Sequence, residues 1–400
     1  MFAAALLSAG PADADDQAAA SGSTDASVWD ALAAGSTKLN LRYRFEFVDQ
    51  EGIGDNARAN TVLARLQWQS ASYQGFHLGL GVDHVQALGE ERFNSTTNGE
   101  SEFPVVADPE GTDLNLAFLA YKTERATFTG GRQRINHADQ RFIGGVAWRQ
   151  NEQTFDAMRA QLAPTDGLKI DYSYVWNVNR IFGPGDGAQP GNWRSNSHLL
   201  DVQWTPLAGH KITGFAHLLD FSNDNGLPNS TRTFGASYSG SFDKLDLTAT
   251  IATQRDHADS PLDYQAEYFS LQASYPVGAV ALKAEYTVLG SDDGVAAFRT
   301  PLATLHKFQG WADKFLLTPA TGIEDLRIGV AGKTGKLAYG AFWHQFRANE
   351  GSIDYGDEVN FVGTYTFSKR VSGQFKFAHY NADELATDTT RFWVSMIVKF

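Results

Sequence analysis

The residues best equipped to bind something are arginines. Arg42 and Arg44 stand two positions apart and Arg65 follows one strand later. Pairing of those strands gathers three planar guanidiniums into one patch suited to bidentate contact with carboxylates. Arg132, Arg134, Arg141 and Arg149 form a second basic group. Covalent or metal chemistry has no comparable signal. The chain contains no GxSxG, HExxH, Walker or complete dinucleotide motif, and its ten histidines are scattered singly. The absence of cysteine removes thiolate metal sites, disulfides and cysteine nucleophiles. Gly183 to Gly187 reads as loop punctuation, and the carboxylate-rich stretches at Asp220 to Gly226 and Asp354 to Glu358 lack the full spacing of a calcium loop. No catalytic residue, cofactor or metal is expected.

Composition sharpens this. The 400 residues carry 33 Lys and Arg against 46 Asp and Glu, a net charge of −13. An acidic chain is poorly suited to bind nucleic acid, which needs basic surface to displace phosphate counterions. Mean hydropathy is −0.31, and no run reaches the roughly 20 apolar residues of a membrane-spanning helix. A membrane β-barrel remains open, since every second residue of its strands can be polar.

The elements that must position the arginines are strands. Leu39, Leu41, Tyr43, Phe45 and Phe47 interleave with Asn40, Arg42, Arg44 and Glu46, and the same period of two recurs at Leu168 to Asn177, Lys244 to Ile251, Val280 to Tyr286 and Leu337 to Trp343. About eighteen such segments begin near positions 37, 60, 75, 113, 125, 154, 167, 196, 210, 231, 243, 264, 279, 323, 337, 357, 371 and 389. Long connections alternate with short ones, as in a barrel that keeps its short turns in the periplasm. The expected fold is all-β: a transmembrane antiparallel β-barrel of about 18 strands in a bacterial outer membrane, with lipid and lipopolysaccharide around it. Tyr43, Trp68, Tyr172, Tyr174, Trp204, Tyr238, Tyr286, Trp343 and Phe375 fall on the apolar parity, where an interfacial girdle belongs. The last segment places Phe392, Val394, Met396, Val398 and Phe400 on one face. That pattern resembles the signal read by the barrel assembly machinery, with Phe400 as its final aromatic residue. Residues 1–14 read as a residual signal peptide and 15–35 as a flexible segment containing one helical turn near Val28 to Ala34, leaving 36–400 for the barrel.

Four blocks resemble the alginate-export family of outer-membrane porins: LNLRYRFE from Leu39, VVADPEGTDLNL from Val105, GRQRINHADQRFIGGVAWRQNEQTFD from Gly131 and KFQGWADKF from Lys307. The third is the most specific, and with the strand pattern the likeness runs from Val28 to Phe400. It implies an eighteen-strand barrel conducting an anionic solute or polysaccharide through an arginine-lined lumen, without fixing alginate as the solute.

If apolar positions face lipid, the alternate ones line the pore. Basic candidates are Arg42, Arg44, Arg65, Arg159, Lys169, Lys244, Lys283, Arg327, Lys376 and Arg391; acidic ones are Glu46, Asp83, Asp171, Asp201, Asp246 and Glu285. The balance is cationic inside an acidic protein, which implies a preference for anions, although such residues also pair across neighbouring strands simply to hold the wall. Arg132 and Arg134 share the parity of Phe128, so a bulge is expected at Gly130 and Gly131. The loops 87–112 and 290–322 are too long for plain hairpins. Phe308, Trp311 and Phe315, with Arg132, Arg134, Arg141 and Arg149, are candidates for a constriction, the alternative being a cap on the rim. The expected function is diffusion of carboxylates, uronates or anionic polysaccharide, without catalysis. The rival readings are a plugged barrel acting as a loop-based receptor or adhesin, a channel for hydrophobic or aromatic compounds, and a membrane-embedded hydrolase.

Overall fold

A computed structural model describes residues 27–400. The expected signal peptide, residues 1–14, and most of the expected flexible segment lie outside those residues. Ser27 caps a single helical turn, α1 (Val28–Ala33), through a capping box with Asp30. The Ala31 carbonyl accepts from the Ala71 amide, which docks the turn against the link after the second strand.

Eighteen strands form the barrel. The first nine are β1 (Ser36–Gln50), β2 (Ala57–Gln69), β3 (Phe76–Ala87), β4 (Gly111–Lys122), β5 (Ala126–Gln133), β6 (Thr154–Thr165), β7 (Leu168–Asn179), β8 (Asn192–Leu207) and β9 (His210–Leu219). The remainder are β10 (Thr231–Phe242), β11 (Leu245–Asp256), β12 (Gln265–Val277), β13 (Val280–Leu289), β14 (Ile323–Thr334), β15 (Leu337–Arg347), β16 (Asp354–Thr366), β17 (Val371–Ala382) and β18 (Thr389–Lys399). Each pairs antiparallel with its neighbours in sequence, and β1 pairs with β18 from Asn40↔Lys399 to Gln50↔Thr389. The sheet is therefore a closed barrel with no free edge, as the alternation predicts.

The two faces separate cleanly. In β3, Leu78, Leu80 and Val82 are exposed while His77, Asp83 and Val85 are buried. Exposed Leu, Phe and Ile form the outward face, as befits a wall in lipid. The inward face is buried because three long connections, 88–110, 134–153 and 290–322, turn back into the barrel. At the other end, links such as 166–167, 208–209 and 278–279 are minimal. Inside, Trp148, Phe298, Trp311 and Phe315 from the loops pack with Phe342, Phe346, Tyr355, Tyr380 and Trp393 from the wall into one aromatic cluster.

Candidate functional site

The inward rows carry the charged residues that alternation assigns to them. On β1, Arg42, Arg44 and Glu46 are all buried, with Tyr43 exposed between the two arginines. On β2 Arg65 faces Asp83 of β3 at 2.6 Å and Glu152 of the 134–153 loop at 3.0 Å. Arg159 pairs with Asp171 at 2.5 Å, and Arg327 with Glu285. Lys283 reaches Ser274 Oγ, at 3.4 Å. Lys169 is exposed, and Asp246 accepts from Ser241. One placement changes: β11 begins at Leu245, so Lys244 belongs to the two-residue turn before it rather than to the wall. The two-residue link left no room for the extra strand position.

The centre of the interior is a junction of wall and loops. Arg42 donates to Gln150 Oε1 at 2.8 Å and to the Ala147 and Arg149 carbonyls. Arg44 donates to the Trp148 carbonyl at 2.6 Å, lies 4.2 Å from the Trp148 ring centroid, and sits 3.6 Å from Asp108. Glu46 accepts from Arg149 at 3.0 Å and from Arg391 at 3.4 Å. Both arginines also reach Asp313, at 3.2 and 3.3 Å. Asp313 holds His306, whose ring stacks on Trp148 at 4.1 Å with planes 5° apart. Lys376 donates its ammonium to His306 Nε2 at 2.7 Å and is surrounded by Trp148, Trp311 and Trp393. In this junction five basic side chains, Arg42, Arg44, Arg149, Lys376 and Arg391, meet three carboxylates, Glu46, Asp108 and Asp313.

Electrostatics fixes the state of the loop groups. Burial and the Lys376 ammonium push His306 down to about 3 despite Asp313, so it is neutral and accepts from Lys376. Asp313 lies well below the carboxylate range: burial opposes this, but His306, Arg391 and Arg149 prevail. Burial would raise Glu152, yet Arg134 and Arg65 hold it down at about 2.

The second basic group divides. Arg149 enters the junction, and Arg141 donates to Gln309 at 2.7 Å while lying 4.6 Å from the Phe308 ring. Arg134 follows the last residue of β5 and turns inward to Glu152 at 2.5 Å. Arg132 does not turn. The ladder on both sides of β5 keeps its register through Gly130 and Gly131, so the expected bulge is absent. Arg132 stays on the parity of Phe128 and is neutralised by Asp156 at 2.8 Å. Register shifts occur instead on neighbouring strands, near Gly81 and Val82 and near Asp156 and Ala157.

Phe308, Trp311 and Phe315 are buried inside the wall rather than on the rim. Trp311 and Ala312 donate backbone amides to Glu358 of β16, and the φ of +78° at Gly310 lets the chain lie against that carboxylate. Sequence reading missed Asp108, Glu152, His306, Asp313 and Trp148, because loop residues have no period to betray their direction. It also treated the histidines as isolated, whereas His137 and His217 both approach Asp201, at 2.9 and 2.8 Å.

A family model described as "Alginate export" matches residues 35–288. No curated protein sequence matches the chain. Among solved structures, Pseudomonas aeruginosa OpdO superposes with a TM-score of 0.71 at 13% identity, covering 93% of this chain and 98% of that one. P. aeruginosa OccK9 (OpdG) gives 0.70 at 16%, covering 92% and 100%. Acinetobacter baumannii OccAB4 gives 0.67 at 14%, covering 92% and 98%.

Proposed function

Because the chain belongs to the alginate export family and forms an integral outer-membrane channel barrel rather than an enzyme, we propose that it passes small carboxylate-bearing solutes, uronates among them, by diffusion. The observation that carries this reading is the excess of cations at the central junction, where five basic side chains meet three carboxylates inside a protein of net charge −13. Among the described residues, no hydrogen bond uses certain buried N–H donors of Arg44, Arg141 and Arg391. A carboxylate accepts such donors in pairs, through charge-assisted bonds. The inward candidates Arg42, Glu46, Arg65, Asp83, Arg159, Asp171, Asp201, Glu285, Arg327, Lys376 and Arg391 then line the conduit, with Phe308, Trp311 and Phe315 holding the loop that narrows it.

Planar-bilayer conductance of the refolded protein, with reversal potential read under a salt gradient, tests this. Anion-selective steps that lose selectivity when Arg42, Arg44 and Arg65 become Ala support the reading. Cation selectivity untouched by those changes overturns it. The inward packing of 134–153 and 290–322 favours one rival, a plugged barrel whose outer loops bind a ligand, and a complete lack of conductance would select it.

A further inference from the structure

Beside the conduit, side chains of three separate elements converge. We propose that His137, Asp201 and His217 form a binding site for zinc or a similar late first-row divalent cation, which clamps the 134–153 loop to the wall. The inference holds whatever solute passes the barrel.

His137 belongs to the loop, while Asp201 and His217 are inward residues of adjacent strands, with Asp201 opposite Phe215 and Leu199 opposite His217. Nδ1 of His137 and Nε2 of His217 lie 2.9 and 2.8 Å from the same oxygen, Asp201 Oδ1. The three donor atoms fall within 4.8 Å of one another. Tetrahedral zinc with bonds of about 2.0–2.1 Å places neighbouring ligands about 3.3 Å apart. The two imidazole–carboxylate separations therefore need to widen by only a few tenths of an ångström to admit the ion.

The hydrogen bonding of His137 is the second observation. The residue is 6% exposed, yet among the described residues neither ring nitrogen finds a well-aligned hydrogen-bond partner, even with Asp201 2.9 Å from Nδ1. Nδ1 approaches Asp201 closely but off the line that an N–H bond requires. Two ligands of one cation have that relation, since their lone pairs converge on a third point rather than on each other. Asp171 Oδ1 lies 3.8 Å from His137 Nε2 and is itself held by Arg159. A carboxylate behind a ligating imidazole is the usual outer support of a histidine–metal bond. Phe215 stacks on His217 at 5.2 Å and Phe142 of the loop flanks both rings, keeping bulk water from the site.

Two imidazoles and one carboxylate suit zinc, nickel or copper rather than calcium or magnesium, which prefer all-oxygen shells. Three protein ligands leave a fourth position for water. Because Trp148 and Arg149 lie further along the same loop, a cation at its beginning would fix where the central junction sits.

The refolded barrel, stripped with EDTA and dialysed against zinc, should bind one equivalent. Cobalt(II) in its place should give the visible absorption of a four-coordinate nitrogen and oxygen site. His137→Gln and His217→Gln should each weaken zinc binding tenfold or more. Zinc should also slow proteolysis within 134–153 in the parent and leave the rate unchanged in both variants. His137 lies outside the strands, so its variant decides the matter if His217→Gln fails to close the barrel, a point read from heat-shifted gel migration. No stoichiometric zinc, or equal zinc retention in parent and variants, overturns the proposal.

Discussion

Glu46 has no exposed surface and serves two guanidiniums, Arg149 from a loop and Arg391 from the wall. Removing one partner of a buried ion pair costs about 3–5 kcal/mol, because the other charge remains desolvated. In Glu46→Gln that loss falls first on the loop, since Arg391 is held by its strand. Trypsin should cut within 134–153 at least tenfold faster in this variant, while barrel closure on a gel is unchanged. His306 predicts a pH response of definite sign. Seated beneath Lys376 and beside Asp313 it titrates at about 3; released into water it returns to about 6.5. The released loop thus binds more protons between those values, so seating is stable above the window and weakens as pH falls through it. Channel noise should rise between pH 7 and pH 5, and His306→Gln should flatten that dependence. A noise level independent of pH in the parent would show that His306 stays buried or plays no part in seating.

At the level of elements, the strands were legible and the loops were not. Every strand begins within a few residues of its expected start, because a lipid-facing wall forces an apolar residue at each second position. The same rule misplaced Lys244, which falls in a turn, and demanded a bulge for Arg132, which instead finds Asp156 on the outer parity. His306 and Trp148 stack although 158 positions apart, and no local pattern announces such a contact. Arg42, Arg44 and Arg65 are legible as a group, but the pairing of Arg44 with Asp108 and of Arg65 with Glu152 depends on those loops. Glycines in the wall make room for the inner packing. A Cβ at Gly235 would collide with the Phe215 ring, which rests on Phe142 of the 134–153 loop at 4.7 Å. Gly235→Val should cost about 1–3 kcal/mol by overpacking, seen as a lower urea midpoint, whereas Gly214→Ala meets open space and should leave it unmoved.

For the whole molecule, a net charge of −13 around a junction rich in basic side chains makes the proposed anion preference a matter of screening. The screening length is about 10 Å at 0.1 M salt and about 3 Å at 1 M. The proposed anion preference should therefore fall severalfold over that range, as reversal potentials would show. A preference independent of salt would point to size, not charge. Closure carries a different consequence, concerning time. Phe400 and Leu39 exchange backbone hydrogen bonds, and β1 finds its second partner only in β18. During synthesis β1 emerges before the seventeen strands that follow it and must wait for the last of them, its outward leucines and phenylalanines unshielded throughout. Until β18 arrives, the chain therefore carries both an unpaired strand edge and an unshielded apolar face.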